Sequence, residues 1–393
     1  MAKRAVEDTD LRTARKKHKR KKQLKALIAA FVLLIIAAVI FLTRNMWVPK
    51  LKGIFEKPHG LIVNDGELAA GNFPLMLSEN GTARLFAIDN EFAVVDDSAV
   101  RFYNIAGEQE MLIQHTLAHP AAVVDDKRLL VYESGGSNFE VIGFKGEIYS
   151  KKLENNILLA TMKNDIVAVV TSTDKYDAYL TVYNSDGDEI YKWAANKRIL
   201  SLDIKEDGDG CYISTFTSVD GQTVSQVTEL DFSSDNAALT SKELDTLVLS
   251  VMGTDTGKIW AIGNTKLFTL DNAGNVLSEY EYRGELSAFC ANEKVCAVAC
   301  KGMTRGTSEL MIAHCDSNEI TGTASIDTGD VKSLECMEED IFMLSEHSAE
   351  CYDKGGELVA TAGVSNDYVD FVYLEESLIF IGYREINKIS FDK

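Results

Sequence analysis

Two histidines four residues apart, His115 and His119 in the stretch HTLAHP, are the pattern here that most invites a metal-assisted hydrolysis. A zinc protease carries its two His ligands as HExxH, with Glu between them as general base. The intervening residues here are Thr, Leu and Ala, and Pro follows, so a surface turn is expected. Paired carboxylates offer a second chemistry, since the doublets Asp96–Asp97 and Asp125–Asp126 could pair across space as acid and base in glycoside cleavage. Each doublet also ends an apolar stretch at a turn, where Asp is favoured for bonding the local backbone. KEDGDG at 205–210 and NSDGD at 184–188 suggest calcium. Neither has acids at positions 1, 3 and 5 with Glu at 12, so hairpin turns are expected.

All seven cysteines (Cys211, Cys290, Cys296, Cys300, Cys315, Cys336 and Cys351) follow residue 210. The run CANEKVCAVAC has Cys-x5-Cys-x3-Cys spacing with no interleaved His, which matches no structural zinc pattern. These residues read as small apolar groups on strands, with a cross-strand disulfide such as Cys290–Cys296 as the main exception. GxGxxG and GxxxxGK[ST] phosphate loops are absent. No catalytic, cofactor or metal residue is therefore assigned, and the chain is expected not to be an enzyme.

The elements that would position such groups begin with an unusual N-terminus. Residues 1–25 carry 11 Lys/Arg against 3 Asp/Glu, while the remaining 368 residues carry 29 against 57. So acidic a body repels nucleic acid, and no nucleic-acid partner is expected. Residues 26–43, ALIAAFVLLIIAAVIFLT, are 18 without a charge. At ~1.5 Å per residue they cross most of a ~30 Å hydrocarbon core. The run exceeds the ~7–15 residues of a signal-peptide core and exits into TRNMW without a small-x-small site, so a retained signal-anchor is expected. Arg15, Lys16, Lys17, Lys19, Arg20, Lys21, Lys22 and Lys25 would hold the tail in the cytoplasm. Arg44, Trp47, Lys50 and Lys52 fall where an outer-interface anchor belongs. The expected organisation is a basic cytoplasmic tail (1–25), one transmembrane helix (26–43), a juxtamembrane stalk (44–60) and an extracytoplasmic domain (61–393) at the cell membrane.

Beyond residue 60 short β-rich runs alternate with Gly, Asn and Asp turns, so the body is all-β. Modules begin near Ala83, Ala121, Ile157, Ile199, Leu247, Leu286, Val331 and Tyr368. Spacings of about 36 to 48 residues are those of propeller blades. Each module reads as a four-stranded meander, and the turns holding Gly107, Gly146, Gly187, Gly274 and Gly356 join third to fourth strands. LSAFCANEKVCAV and SLECMEEDIFML place Cys290 and Cys336 at one expected site. The last module stops one strand short at Lys393, and GNFPLMLS at 71–78 can supply that strand. This favours an eight-bladed β-propeller over a seven-bladed one.

On its blade turns at 183–189 and 270–275, its basic tail and its single apolar segment, the chain resembles a family of uncharacterised single-pass proteins of clostridia-like Gram-positive bacteria. Those proteins carry an extracytoplasmic propeller, and the blades are also similar to quinoprotein-like propellers. The wider group includes quinone-cofactor dehydrogenases and non-catalytic scaffolds, so the resemblance implies a fold and no activity. Quinoprotein dehydrogenases repeat a Trp motif in most blades. Here only Trp193 and Trp260 lie in the propeller, and no cofactor is expected. The functional expectation is a membrane-anchored scaffold that binds an envelope protein or peptide, with a glycan-acting enzyme or a ligand-sensing subunit as the alternative.

Overall fold

The computed structural model describes residues 61–77 and 83–393. The tail, the apolar segment and the stalk lie outside the described residues, together with every topology and membrane-interface residue assigned to them. Among the described residues no helix is long and apolar enough to cross a membrane.

Strands group into eight sheets, each built on a meander whose first strand lies innermost. The first strands are Arg84–Ile88, Pro120–Asp125, Ile157–Lys163, Arg198–Ile204, Val248–Gly253, Leu286–Ala291, Val331–Met337 and Tyr368–Leu374. Each begins within one residue of the position read from the sequence, so the ring has eight blades. Second and third strands are covered on both faces by neighbouring blades, and they read as unbroken apolar runs such as IVAVVT at Ile166–Thr171. Fourth strands lie at the rim and alternate in exposure, as in Gln109–Gln114. Core clusters therefore form between blades: Val295, Ala297 and Leu310 of blade 6 pack with Leu334, Ile341 and Met343 of blade 7.

The ring closes as the sequence implies. Leu75–Met76 runs antiparallel beside Glu385–Ser390, pairing Leu75 with Ile386, and supplies the fourth strand of blade 8. Phe73 stacks on Phe92 of blade 1 at a centroid separation of 6.2 Å, which ties the same segment across the seam. A further strand was not expected: Ile62–Asn64 lies parallel along Leu358–Gly363 as a fifth strand of blade 7.

Six inner strands, those of blades 3 to 8, share a register shift near their start, for example between Ile199 and Ser201, Leu286 and Ala288, and Val331 and Ser333. Aligning on this shift makes Asp203, Met252, Cys290, Glu335 and Val372 equivalent. Ile204, Gly253, Ala291, Cys336 and Tyr373 occupy the next position. Cys290 and Cys336 are thus one position apart, correcting the expectation of a shared site. The offset lets them meet: they form a disulfide between blades 6 and 7 with a Cα separation of 5.7 Å. Cys296, the partner expected for Cys290, is instead a free, buried thiol among the apolar residues between blades 5 and 6.

The same forward step recurs without sulfur. Asp203 Oδ2 accepts the Gly253 N–H (3.0 Å) from blade 4 to blade 5, and Glu335 Oε2 accepts the Tyr373 N–H (2.9 Å) from blade 7 to blade 8. Three of the ring's joints are therefore fastened by one rule. The disulfide closes a loop of 46 residues, for which unfolded-chain entropy implies about 4 kcal/mol. Changing Cys290 and Cys336 to Ser should lower unfolding stability by that amount in urea, and an unchanged midpoint would show that the joint carries no load.

Candidate binding site at the channel mouth

In each meander the first-to-second and third-to-fourth turns share one face of the ring, here the upper face. Second-to-third turns and the links between blades share the lower face. The eight first-to-second turns surround the channel mouth and carry 12 Asp/Glu against 4 Lys. Asp89, Asp126, Asn164, Asp165, Glu338, Glu375 and Glu376 adopt positive φ there. Left-handed backbone is costly for Glu, so the mouth also concentrates local strain.

A cleft of about 460 Å³ opens at this mouth, lined by Lys163, Asp203, Glu206, Tyr212, Asp255 and Glu293. Its centre is Lys163 at the end of the inner strand of blade 3. The Lys163 Nζ donates to Glu293 Oε1 of blade 6 (2.7 Å) and meets Glu206 Oε2 of blade 4 (3.1 Å). One ammonium thus bridges three blades. Burial would lower its pKa, but the Glu293 hydrogen bond and the surrounding carboxylates outweigh it and hold the ammonium above its ordinary range. Burial likewise acts to raise Glu293, and Lys163 wins there too, keeping that carboxyl below its usual value. At Asp203 burial dominates: the carboxyl is pushed up to about 6, against the Gly253 N–H and Lys163, with Glu293 and Glu206 adding to the rise. The floor of the cleft needs Gly253, because a Cβ there would lie 2.7 Å from the Tyr212 ring.

Lys163→Met would leave Glu206 and Glu293 facing each other without a cation. We expect a loss of about 2 kcal/mol at pH 8, by analogy with a partly buried pair broken on one side. At strongly acid pH, where carboxylates in general are neutral, the loss should shrink. Equal losses at both pH values, read from urea midpoints, would assign the effect to packing.

The sequence-assigned residues distribute differently. Gly107, Gly187, Gly274 and Gly356 lie in third-to-fourth turns at φ of 77° to 84°, and Gly146 occupies a tighter one at 111°. Four of these turns begin with Asn104, Asn184, Asp271 or Asp353. In each, the side-chain Oδ1 accepts the N–H groups two and four residues on, at 2.8 to 3.1 Å. That Asx motif is why the stretch recurs.

The two histidines are not brought together as ligands. His115 is buried, correcting the surface-turn reading for that residue, and its Nε2 lies 3.0 Å from the Asp96 carbonyl oxygen. Asp96 caps its own turn by accepting the Ser98 N–H (2.8 Å) and the Ala99 N–H (2.9 Å). That turn joins second to third strands on the lower face, whereas Asp126 lies in an upper-face turn, so the doublets cannot act on one bond. His314, Cys315 and Asp316 place one potential ligand atom each within 4.8 Å. The His314 Nδ1 already accepts the Asp316 N–H (3.2 Å), its Nε2 meets Glu339 (3.1 Å), and Cys315 packs into an apolar cluster. The grouping works as a capped turn.

Sequence reasoning passed over Lys163, Asp203, Glu293 and Glu335. A signal existed for two of them: SLDI at 201–204 and SLEC at 333–336 put an acid at the same position of two inner strands, directly after a buried Leu.

A family model described as a family of unknown function (DUF5711) matches residues 76–391. No curated protein sequence matches the chain. Among solved structures, the computationally designed protein Ika8 is 10% identical with a TM-score of 0.61, covering 84% of this chain and 98% of its own. BamB from Moraxella catarrhalis is 11% identical with a TM-score of 0.55, covering 82% and 100%. At such identities the likeness is one of fold.

Proposed function

The chain belongs to DUF5711, a family of unknown function, and from its architecture we propose that it is a non-catalytic scaffold which meets a basic segment of an envelope protein at its acidic channel mouth. The observation that carries this reading is the ring of turns with 12 acids against 4 lysines around one cleft. A fixed field of that sign steers a cationic partner and fixes its orientation. Segment 26–43 is the membrane anchor in this proposal, with the basic tail inside and the propeller at the outer face of the cell membrane.

A photo-crosslinking residue placed at Asn164 in living cells should yield a discrete protein adduct that disappears at high salt or in a Glu206→Lys, Glu338→Lys variant. No adduct, or one that the reversal leaves unchanged, would sink the mouth as the docking face. Protease added to protoplasts should remove the propeller, and its protection would refute the orientation.

One observation favours a second reading, a glycan-acting enzyme. Asp203 is raised to about 6 while Glu293 is held low in the same cleft, a split seen where two carboxylates serve as acid and base. Against it, Lys163 already occupies Glu293. Release of sugar from envelope glycan that is lost in Asp203→Asn would decide for this alternative.

A further inference from the structure

Blade 4 departs from its neighbours on the lower face. Its second and third strands, Gly210–Val219 and Gln222–Asp231, are each 10 residues long and pair without a register break. The corresponding strands of the other blades have five to seven residues. The inner strand covers this hairpin only as far as Arg198 opposite Phe216. On the other side the last contact is the bridge from Ser225 to Leu244. Residues 217–219 and 222–224 therefore project with neither neighbour.

The hairpin tip is the two-residue turn Asp220 and Gly221, both at positive φ (52° and 83°). In such a hairpin the flanking pair, Val219 and Gln222, exchanges both hydrogen bonds. The N–H and C=O of Ser218 and of Thr223 then face outward. Natural edges are usually blunted by Lys, Pro or a bulge. Phe216 to Ser225 reads FTSVDGQTVS and has none of these.

At the foot of the open edge, Lys197 and Arg198 line a cleft of about 290 Å³ with Asp177, Phe216 and Thr223. Lys197 Nζ donates to Gln226 Oε1, and neither cation forms an ion pair among the described residues. In a chain of net charge −20 two adjacent unpaired cations are a local reversal of sign. The ring also displays a strand added over this length, since Ile62–Asn64 joins blade 7 through three residue pairs.

We propose that the blade 4 hairpin is a docking arm. It takes an extended segment of a partner protein as an added strand along Thr217 to Val219, in line with the inner strand, and a carboxylate of that segment meets Lys197 and Arg198. Main-chain bonds supply attachment and the cations supply selectivity. The inference shares with the function above only the premise of a protein partner, because the arm and the acidic mouth lie on opposite faces.

The test is fluorescence anisotropy with the full chain in detergent and a labelled peptide of ten residues alternating Val and Glu, with a Val and Lys peptide as control. The acidic peptide should bind and the basic one should not bind at the arm. Ser218→Pro removes an outward N–H without touching the inward ladder, and should weaken binding at least 10-fold with an unchanged thermal midpoint. Lys197→Glu with Arg198→Glu should do the same through charge, which covers the case of a misfolded proline variant. Glu206→Gln at the mouth should bind as the parent does. No binding of the acidic peptide, or equal binding by both arm variants, overturns the proposal. So does an affinity altered only in Glu206→Gln, which would place the peptide at the mouth. A dimer in sedimentation that both arm variants abolish would make a second copy the occupant and also overturn it.

Discussion

A chain lacking residues 1–77 should unfold about 5–10 °C below one lacking residues 1–60 only, or accumulate as aggregate. The difference isolates the closing segment. Residues 61–77 pair with blade 8 through Leu75 and Met76 and with blade 7 through Ile62, Val63 and Asn64. Phe73, Leu75 and Leu77 also cover the cluster formed by Leu85, Phe92, Ile379 and Ile386 at the seam. Without them the strand Glu385–Ser390 becomes a raw edge and that cluster meets water. Equal midpoints would mean that the inner-strand contacts alone hold the ring shut.

The second large effect concerns Glu335, which burial among the inner strands pushes up to about 8, against the Tyr373 N–H and with Asp370 adding to the rise. In the unfolded chain the same carboxyl titrates near 4.5. Between those values the folded state keeps a proton that the unfolded state has released, so stability falls as pH rises from about 5 to 8 and is level above. At ~1.36 kcal/mol per pKa unit the full loss is at most about 4–5 kcal/mol. Glu335→Gln preserves an acceptor for Tyr373 and cannot ionise. Its unfolding free energy from urea titration should match the parent near pH 4.5 and exceed it by several kcal/mol at pH 9. Asp203 adds a slope of the same sign between about 4 and 6, which the difference between parent and variant cancels. Parallel pH profiles would show that Glu335 is ionised in the native ring without penalty.

Blade number, strand order and closure were legible because they rest on periodicity and on turns, both local properties of the chain. All eight module starts came from apolar runs bounded by polar turns, and the unpaired end at Lys393 pointed to GNFPLMLS. The fifth strand of blade 7 was not legible, since IVN at Ile62–Asn64 is too short to announce itself. The disulfide was misplaced because Cys290 and Cys336 read as one site, whereas Cys336 lies one position further along its inner strand and so meets Cys290 of the preceding blade. The cleft was the least legible part. Lys163 and Glu293 lie 130 residues apart, and only the closed ring brings them to 2.7 Å.

The pairing of Leu75 with Ile386 spans 311 positions of the chain, and that separation has a meaning in time. At roughly 5–20 residues per second of synthesis, the closing strand waits about 15–60 s for its partner to exist. Through that interval blades can form in order along a growing arc, yet both ends of the arc stay sticky. The entropy of bringing such distant ends together rises only logarithmically with length, so delay and exposure, more than the closure itself, set the hazard. A permuted chain that carries residues 61–77 after Lys393 would make the closing strand Leu75–Met76 shortly after its partner Glu385–Ser390. It should then close on completion, with a higher yield of monomeric ring at the same final stability.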